Sequence, residues 1–367
     1  MIIFTISLIL ITLLIYIYYI LFKKNSEIKW YFKVLDFILG IISLHYCKIG
    51  TNNFNRKRVN KIENFFNKEK FDTNKKFIKG VMIEDVIIES QWKEDPYFNK
   101  KIPIKIFIKE QIQEKNAENF NTENINIKQL PILVNIHGGG FVLEFNDDKS
   151  ELLSRENMIV ISIKYRLAPE HKYPTALEDC YSVFDYISKK KNSTLNKYAD
   201  YDKISIIGDS AGGNLAALIP FLIKERNLPI RISQQILIYP TMLIKGETES
   251  LKRLKGKDYI LPNDLMQWFI KAYLGPDYHK LYEDKFVSPL KQKNFDGIPE
   301  ALIILATQDI LYSDGILYSE LLTKKNVINE IKEFESVHGF YSAQGLPEEK
   351  EANKIIFEYL RRNKFIC

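Results

Sequence analysis

The stretch that decides the fold reads IGDSAGGN and spans residues 207–214. A short apolar run of strand length precedes it, and a helical pattern follows it. A serine between two glycines at a strand-to-helix turn is typical of a strained elbow that exposes a nucleophile. Because Gly208 and Gly212 have no side chains, neighbouring backbone segments of the same chain can approach the turn closely. We therefore predict that Ser210 is a catalytic nucleophile. A chance turn is the alternative.

A second glycine-rich motif, HGGGF, begins at His137 and follows another predicted strand. Consecutive glycines expose backbone N–H groups, and acyl transfer needs such donors for the oxyanion of its tetrahedral intermediate. Gly138, Gly139 and Gly140, with Ala211 after the serine, are therefore the candidate oxyanion donors. The alternatives are a flexible loop or a phosphate cradle, and the motif lacks the lysine of a P-loop.

A serine nucleophile needs a general base, and the base needs an acid that orients it. In folds built around such an elbow the chain order is serine, acid, histidine. Only His279 and His338 follow Ser210, and His338 comes directly after the last predicted strand. We therefore predict His338 as the base and Asp309, at the end of the preceding strand, as the acid. Asp314 is the competing acid, although a helix start suits a cap.

Strand and helix patterns alternate around these motifs. Eight strand-length runs with helices between them predict an α/β protein with a mostly parallel eight-stranded sheet covered on both faces. Residues 241–289 interrupt the alternation and indicate a helical insertion. Residues 111–128 are rich in Asn, Gln, Glu and Lys and indicate an extended loop.

The composition excludes several classes of protein. The 367 residues are 46% hydrophobic and 13% aromatic, which excludes a disordered chain, and three cysteines exclude a disulfide scaffold. The net charge is +6, but lysines and glutamates are interleaved without a long basic block. We therefore expect no nucleic-acid partner.

The N-terminus carries an uncharged apolar run over residues 2–22 that ends at Lys23 and Lys24. As a helix, these 21 residues would span about 30 Å, the thickness of the hydrocarbon core of a bilayer. No small-residue cleavage pattern follows, so we predict an uncleaved anchor and a membrane partner. The predicted organisation is a transmembrane signal-anchor over 1–24, a helical segment over 25–80, and a catalytic domain over 81–367.

With these motifs the chain resembles the hormone-sensitive-lipase branch of the α/β-hydrolases, and within it especially the arylacetamide deacetylases. The resemblance rests on the motifs described above, on the segment YRLAPEHKYP at 165–174, and on the order in which they follow one another. It implies an α/β-hydrolase fold with a helical lid formed by residues 25–80 and by the insertion over 241–289, and it implies no cofactor and no metal. Members of the branch hydrolyse carboxylic esters, and some hydrolyse aryl amides.

Carried onto this chain, the resemblance implies the triad Ser210, Asp309 and His338. The family often has an acid four residues after its triad aspartate, and this chain has Ser313 there. That departure puts a helix-start ion pair in doubt, and it leaves the triad unaffected. A hydrophobic ester, aryl amide or lipid ester is the expected substrate. A binding protein without activity, or an acyltransferase, is the alternative.

We expect the predicted anchor to place the catalytic domain in the lumen of the endoplasmic reticulum, and the cytosolic orientation is the alternative. The lysines after the span favour a cytosolic catalytic domain under the positive-inside rule. The deacetylase relatives instead imply a domain in the lumen of the endoplasmic reticulum. The sequon at Asn192 predicts glycosylation and favours the lumen too. The sequence predicts no oligomeric state.

Overall fold

The computed structural model describes residues 80–97, 100–109, 129–144, 147–245, 247–254 and 260–366. The predicted anchor, the lid segment up to residue 79 and the loop over 111–128 lie outside the described residues. Within the described ranges, no helix combines the length and the apolar character needed to cross a bilayer.

Eight strands form a single sheet in the described part of the chain. They are β1 (Val81–Glu89), β2 (Lys101–Lys109), β3 (Leu130–Ile136), β4 (Ile159–Ile163), β5 (Ala199–Asp209), β6 (Ile232–Ile238), β7 (Glu300–Gln308) and β8 (Asn329–Val337). Their order is β1-β2-β4-β3-β5-β6-β7-β8. Strand β2 pairs antiparallel with β1 and with β4, and every other neighbouring pair is parallel. The predicted mostly parallel eight-stranded sheet is confirmed.

Helices cover both faces of this sheet. They are α1 (Asp148–Leu153), α2 (Thr175–Ser188), α3 (Ser193–Tyr198), α4 (Ala211–Glu225), α5 (Glu249–Leu254), α6 (Asn263–Leu274), α7 (Tyr312–Lys324) and α8 (Pro347–Arg362). Short 3-10 turns lie at Tyr278–Leu281, Pro289–Lys291 and Phe340–Ser342. Helices α5 and α6 lie within residues 241–289, where the sequence indicates a helical insertion.

The core consists of two apolar clusters separated by the sheet. Ile132 and Val134 of β3 belong to one cluster, while Leu133 between them belongs to the other. Helices α2 and α4 contribute to the first cluster, and α1 and α8 contribute to the second. Because both faces are covered, the central strands are continuous apolar runs. The carboxyl ends of β3, β5, β7 and β8 meet at one edge, where ligand sites of such sheets form.

Candidate active site

The serine elbow lies where β5 ends and α4 begins. Ser210 has φ 54° and ψ −118°, a left-handed conformation that side-chain-bearing residues rarely adopt. Its N–H donates to the carbonyl oxygen of Ile238 at 2.9 Å, which fixes the strained turn to β6. The turn therefore raises the serine side chain at the carboxyl edge of the sheet.

The flanking glycines are required by close packing of the backbone. A Cβ on Gly208 would lie 2.3 Å from the carbonyl oxygen of Gly212. A Cβ on Gly212 would lie 2.1 Å from the carbonyl oxygen of Ile136, the last residue of β3. The start of α4 can approach β3 this closely only because neither glycine carries a side chain.

The structure brings the three predicted triad residues together in one hydrogen-bonded chain. His338 Nε2 lies 2.9 Å from Ser210 Oγ, and His338 Nδ1 lies 2.6 Å from Asp309 Oδ2. Asp309 is 2% exposed, and its Oδ1 accepts the N–H of Leu311 at 2.9 Å. The three side chains therefore have the geometry that a nucleophile, a base and an orienting acid have in acyl transfer.

The competing acid, Asp314, does not hydrogen-bond to the histidine. Its Oδ2 accepts the N–H groups of Met242 and Leu243, both at 2.9 Å, and so anchors the segment after β6. Burial raises the pKa of Asp314 to about 7, although those two N–H donors act to lower it. It is also not the predicted helix cap, because the N-cap of α7 is Leu311.

His279, the other histidine after the serine, lies in the 3-10 turn Tyr278–Leu281 of the insertion. It is exposed and its ring contacts Tyr278 and Tyr282. Among the described residues, the only histidine within hydrogen-bond distance of Ser210 Oγ is therefore His338.

The glycine turn, residues 137–141 after β3, differs from the sequence prediction at one residue. The N–H of Gly138 donates to Asp209 Oδ1 at 2.9 Å, so the prediction that Gly138 is an oxyanion donor is wrong. Gly139 and Gly140 have φ values of 111° and 60°, which only glycine adopts without strain. Within the described ranges no group accepts a hydrogen bond from the N–H of Gly139, Gly140 or Ala211. These three N–H groups are therefore available to an oxyanion.

The His137 side chain is hydrogen-bonded to the glycine turn. Its Nδ1–H donates to the carbonyl oxygen of Gly138 at 2.7 Å, and its ring stacks on Tyr165 at 4.3 Å. The Tyr165 hydroxyl donates to the His137 carbonyl oxygen at 2.9 Å. Burial lowers the pKa of His137 to about 4, so its ring is neutral near pH 7. His137 thus shapes the turn.

Asp209, the residue before the serine, holds the glycine turn by accepting the hydrogen bond of the Gly138 N–H. Loss of solvation raises the pKa of this carboxyl group, and the Gly138 N–H acts in the opposite direction. A Cβ on Gly138 would lie only 2.4 Å from Asp209 Oδ2. The position of Asp209 beside the serine is the one signal in the sequence that could have indicated this contact.

Helix α6 of the insertion packs on the same turn. A Cβ on Gly140 would lie 2.4 Å from the Phe269 ring, so that ring rests against the glycine. Phe141 stacks on Tyr273 with ring centroids 3.8 Å apart and planes only 5° from parallel. The insertion therefore covers the glycine turn, which carries the candidate oxyanion donors and is called the oxyanion turn below, with aromatic rings.

Two ion pairs outside the triad have a structural role. Arg166 Nη2 lies 2.6 Å from Asp179 Oδ1, and Arg226 Nη2 lies 2.6 Å from Glu178 Oε1.

Asn192 is engaged inside the fold. Its Oδ1 caps α3 by accepting the N–H of Leu195 at 2.7 Å, and its Nδ2 donates to Glu84 at 3.0 Å. Because the side chain is buried and both its polar atoms are occupied, this fold contradicts the predicted glycosylation at Asn192.

Comparison with known proteins gives consistent matches. A family model described as alpha/beta hydrolase fold matches residues 133–342, more than half of the chain. The vegetative-specific protein H5 of Dictyostelium discoideum is 34% identical over 215 residues, which are 56% of this chain and 62% of that protein. Esterase LipI of Mycobacterium tuberculosis is 32% identical over 59% of this chain and 68% of its own.

Among solved structures, the hyperthermophilic esterase from the archaeon Pyrobaculum calidifontis is similar to this chain, with a TM-score of 0.66 and 29% identity. The match covers 81% of this chain and 91% of that esterase. The similarity therefore extends over nearly the whole of a solved esterase. With H5, by contrast, the match spans a little under two thirds of the relative.

Proposed function

We propose that this chain, which belongs to the α/β-hydrolase fold family, is a carboxylic ester hydrolase that works through Ser210, Asp309 and His338. The observation that carries the proposal is the hydrogen-bonded chain from Ser210 Oγ through the imidazole to Asp309 Oδ2. Relatives named as esterases support the choice of esters as the substrate class.

In the first half of the reaction, His338 Nε2 takes the proton of Ser210 Oγ as the oxygen attacks the ester carbonyl carbon. The carbonyl oxygen becomes an oxyanion and accepts hydrogen bonds from the N–H groups of Gly139, Gly140 and Ala211. Asp309 orients the imidazole and stabilises its protonated form. The protonated imidazole then gives its proton to the alkoxide oxygen as the C–O bond breaks, so the alcohol leaves.

In the second half, a water molecule attacks the acyl-serine carbonyl while His338 takes its proton. The same N–H groups stabilise the second oxyanion. When this intermediate collapses, Ser210 leaves as the alkoxide and recovers a proton from the imidazole. The products are one carboxylic acid and one alcohol, and the protein returns to its starting state.

The proposal extends to the substrate and its location. The aromatic rings of α6 beside the oxyanion turn support a hydrophobic ester, an aryl amide or a lipid ester as substrate. The apolar run over residues 2–22 supports a single-pass membrane anchor. The resemblance to arylacetamide deacetylases supports a catalytic domain in the lumen of the endoplasmic reticulum. Protease protection of sealed microsomes tests the orientation: digestion without detergent would exclude a lumenal domain.

The activity is tested with nitrophenyl esters of graded acyl length, from acetate to decanoate. We expect turnover by the wild type and a loss of at least about 10⁴-fold in kcat for Ser210→Ala. Ser205→Ala is the matched control, because Ser205 is a buried serine of β5, the strand that leads to Ser210, and its hydroxyl donates to Gln234 Oε1. Full activity of Ser210→Ala would overturn the proposal.

A further inference from the structure

A buried serine of the insertion is hydrogen-bonded to the turn that follows the acid. Ser250 Oγ donates to the carbonyl oxygen of Ile310 at 2.6 Å and accepts the N–H of Ser313 at 3.1 Å. The N–H of Ser250 donates to Ser313 Oγ at 2.9 Å. Ser250, on α5, has no exposed surface. Three hydrogen bonds shielded from water therefore join α5 to this turn and to the start of α7.

The same turn sets the orientation of the Asp309 carboxylate. Asp309 Oδ1 accepts the N–H of Leu311, and the Asp309 carbonyl oxygen accepts the N–H of Tyr312 at 3.1 Å. The carboxylate can point at His338 only while the residues that follow it keep this path. Because Ser250 holds residues 310 and 313, on either side of that path, a shift of Ser250 would displace the acid.

Two further contacts tie the first part of the insertion to the same region. Asp314 accepts the N–H groups of Met242 and Leu243, and Arg253 Nη2 donates to the Thr307 carbonyl oxygen at 2.8 Å. The insertion is thus attached to the acid turn at its start and again at α5. Of the residues that make these contacts, Ser250 is the one that hydrogen-bonds directly to the turn between Asp309 and α7.

The insertion also reaches the opposite side of the site. The Phe269 ring of α6 rests on Gly140, and Tyr273 stacks on Phe141. One inserted segment therefore contacts both the oxyanion turn after β3 and the acid turn after β7.

We propose that Ser250 is a positioning residue that holds the Asp309 turn, so that the insertion covering the oxyanion turn also sets the orientation of the acid. This role rests on the proposed ester hydrolysis. It places the effect of Ser250 in the chemical step, since Ser250 acts through Asp309. Removal of its hydroxyl should lower kcat and leave KM nearly unchanged, as expected for an interaction that serves the transition state.

The test compares Ser250→Ala with Ser182→Ala in the whole chain, using nitrophenyl butyrate. Ser182 is the matched control: it is 1% exposed, its Oγ donates to the Glu178 carbonyl oxygen, and it accepts the N–H of Gln91. Each variant thus loses one buried donor and leaves one backbone N–H without its acceptor. We expect a fall of about tenfold or more in kcat for Ser250→Ala alone, because small displacements of catalytic groups are costly.

The rate of inactivation by a fluorophosphonate gives a second readout, since it reports how well the triad activates Ser210. We expect it to fall with kcat in Ser250→Ala and to match the wild type in Ser182→Ala. Equal kcat and equal inactivation rates in the two variants would overturn the role of Ser250. If Ser250→Ala does not fold, Ser250→Cys keeps the shape of the side chain and weakens both hydrogen bonds of the hydroxyl, and an unchanged kcat there would overturn the role too. A folded wild type that neither turns over esters nor reacts would refute the proposed function, and the role of Ser250 with it.

Discussion

The two sides of the candidate site are held by different physical means. On the serine side, Gly208 and Gly212 let backbone segments approach to distances that any side chain would forbid. On the acid side, Asp309 is held by hydrogen bonds and by a turn that Ser250 fixes from the insertion. Close packing fixes a shape without regard to charge, whereas hydrogen bonds can weaken one at a time. The acid side should therefore respond to single substitutions by graded losses of activity, and the serine side by losses of stability.

The largest expected effect distinguishes Asp309 from Asp314 on the acid side. We expect Asp309→Asn to lower kcat by about 10⁴-fold, because the amide cannot orient the imidazole or stabilise its protonated form. Asp314→Asn should lower kcat less than about tenfold, since an acceptor oxygen remains for the two N–H groups that Asp314 binds. Ester turnover of both purified variants checks this. A larger loss in Asp314→Asn would reverse the assignment.

The next effect tests close packing on the serine side. Gly212→Ala would place a methyl group 2.1 Å from the Ile136 carbonyl oxygen. We expect the free energy of unfolding to fall by about 3 kcal/mol or more. Gly297→Ala is the control: no atom lies within 4 Å of its Cβ, so only its φ of +75° is costly, by about 1–2 kcal/mol. If urea unfolding gave the two variants equal losses of unfolding free energy, close packing at the elbow would contribute nothing to stability.

A smaller effect is expected where the serine side does depend on a side chain. Asp209→Ala leaves the Gly138 N–H without its acceptor and loosens the oxyanion turn. We expect kcat to fall by about ten- to a hundredfold. Asp209→Asn keeps an acceptor oxygen and should recover most of the loss. Wild-type kcat in Asp209→Ala would show that the turn holds its shape without this contact.

The smallest effect is a pH dependence on the acid side. Burial raises the pKa of Asp314 to about 7 from an ordinary value of 3.8, so the folded state favours the protonated form. Its contribution to stability is therefore complete below about pH 4 and is lost as the pH rises to 7, by about 1 kcal/mol per pH unit. Urea unfolding of the wild type and Asp314→Asn at pH 6 and pH 7 isolates this contribution. An identical pH dependence in both proteins would contradict the shift.

The same contrast explains what could be predicted from the sequence. The glycines at 208 and 212 follow from steric limits that hold in any such elbow, and the eight strands follow from apolar runs covered on both faces. The contact of Asp209 with Gly138, 71 residues away, appears only after folding. That contact also occupies the N–H which made Gly138 resemble an oxyanion donor. Sequence patterns left Asp309 and Asp314 in competition, and only the position of His338 separates them.

Asn192 teaches the same lesson on the scaffold. The sequon is a local pattern, and it predicts glycosylation at Asn192. In the fold, its amide caps α3 and reaches Glu84, which is 108 residues away in the chain. Whether a polar side chain faces solvent is decided by the distant segment that packs on it, and no local pattern records that segment.

Mass spectrometry that locates a fluorophosphonate adduct on the whole chain tests the proposed triad most directly. We predict a single adduct on Ser210 in the wild type and none in folded His338→Ala, because the serine is activated only through that imidazole. An adduct on another residue, or no adduct on a folded wild type, would contradict the assignment of Ser210, Asp309 and His338 as a working triad.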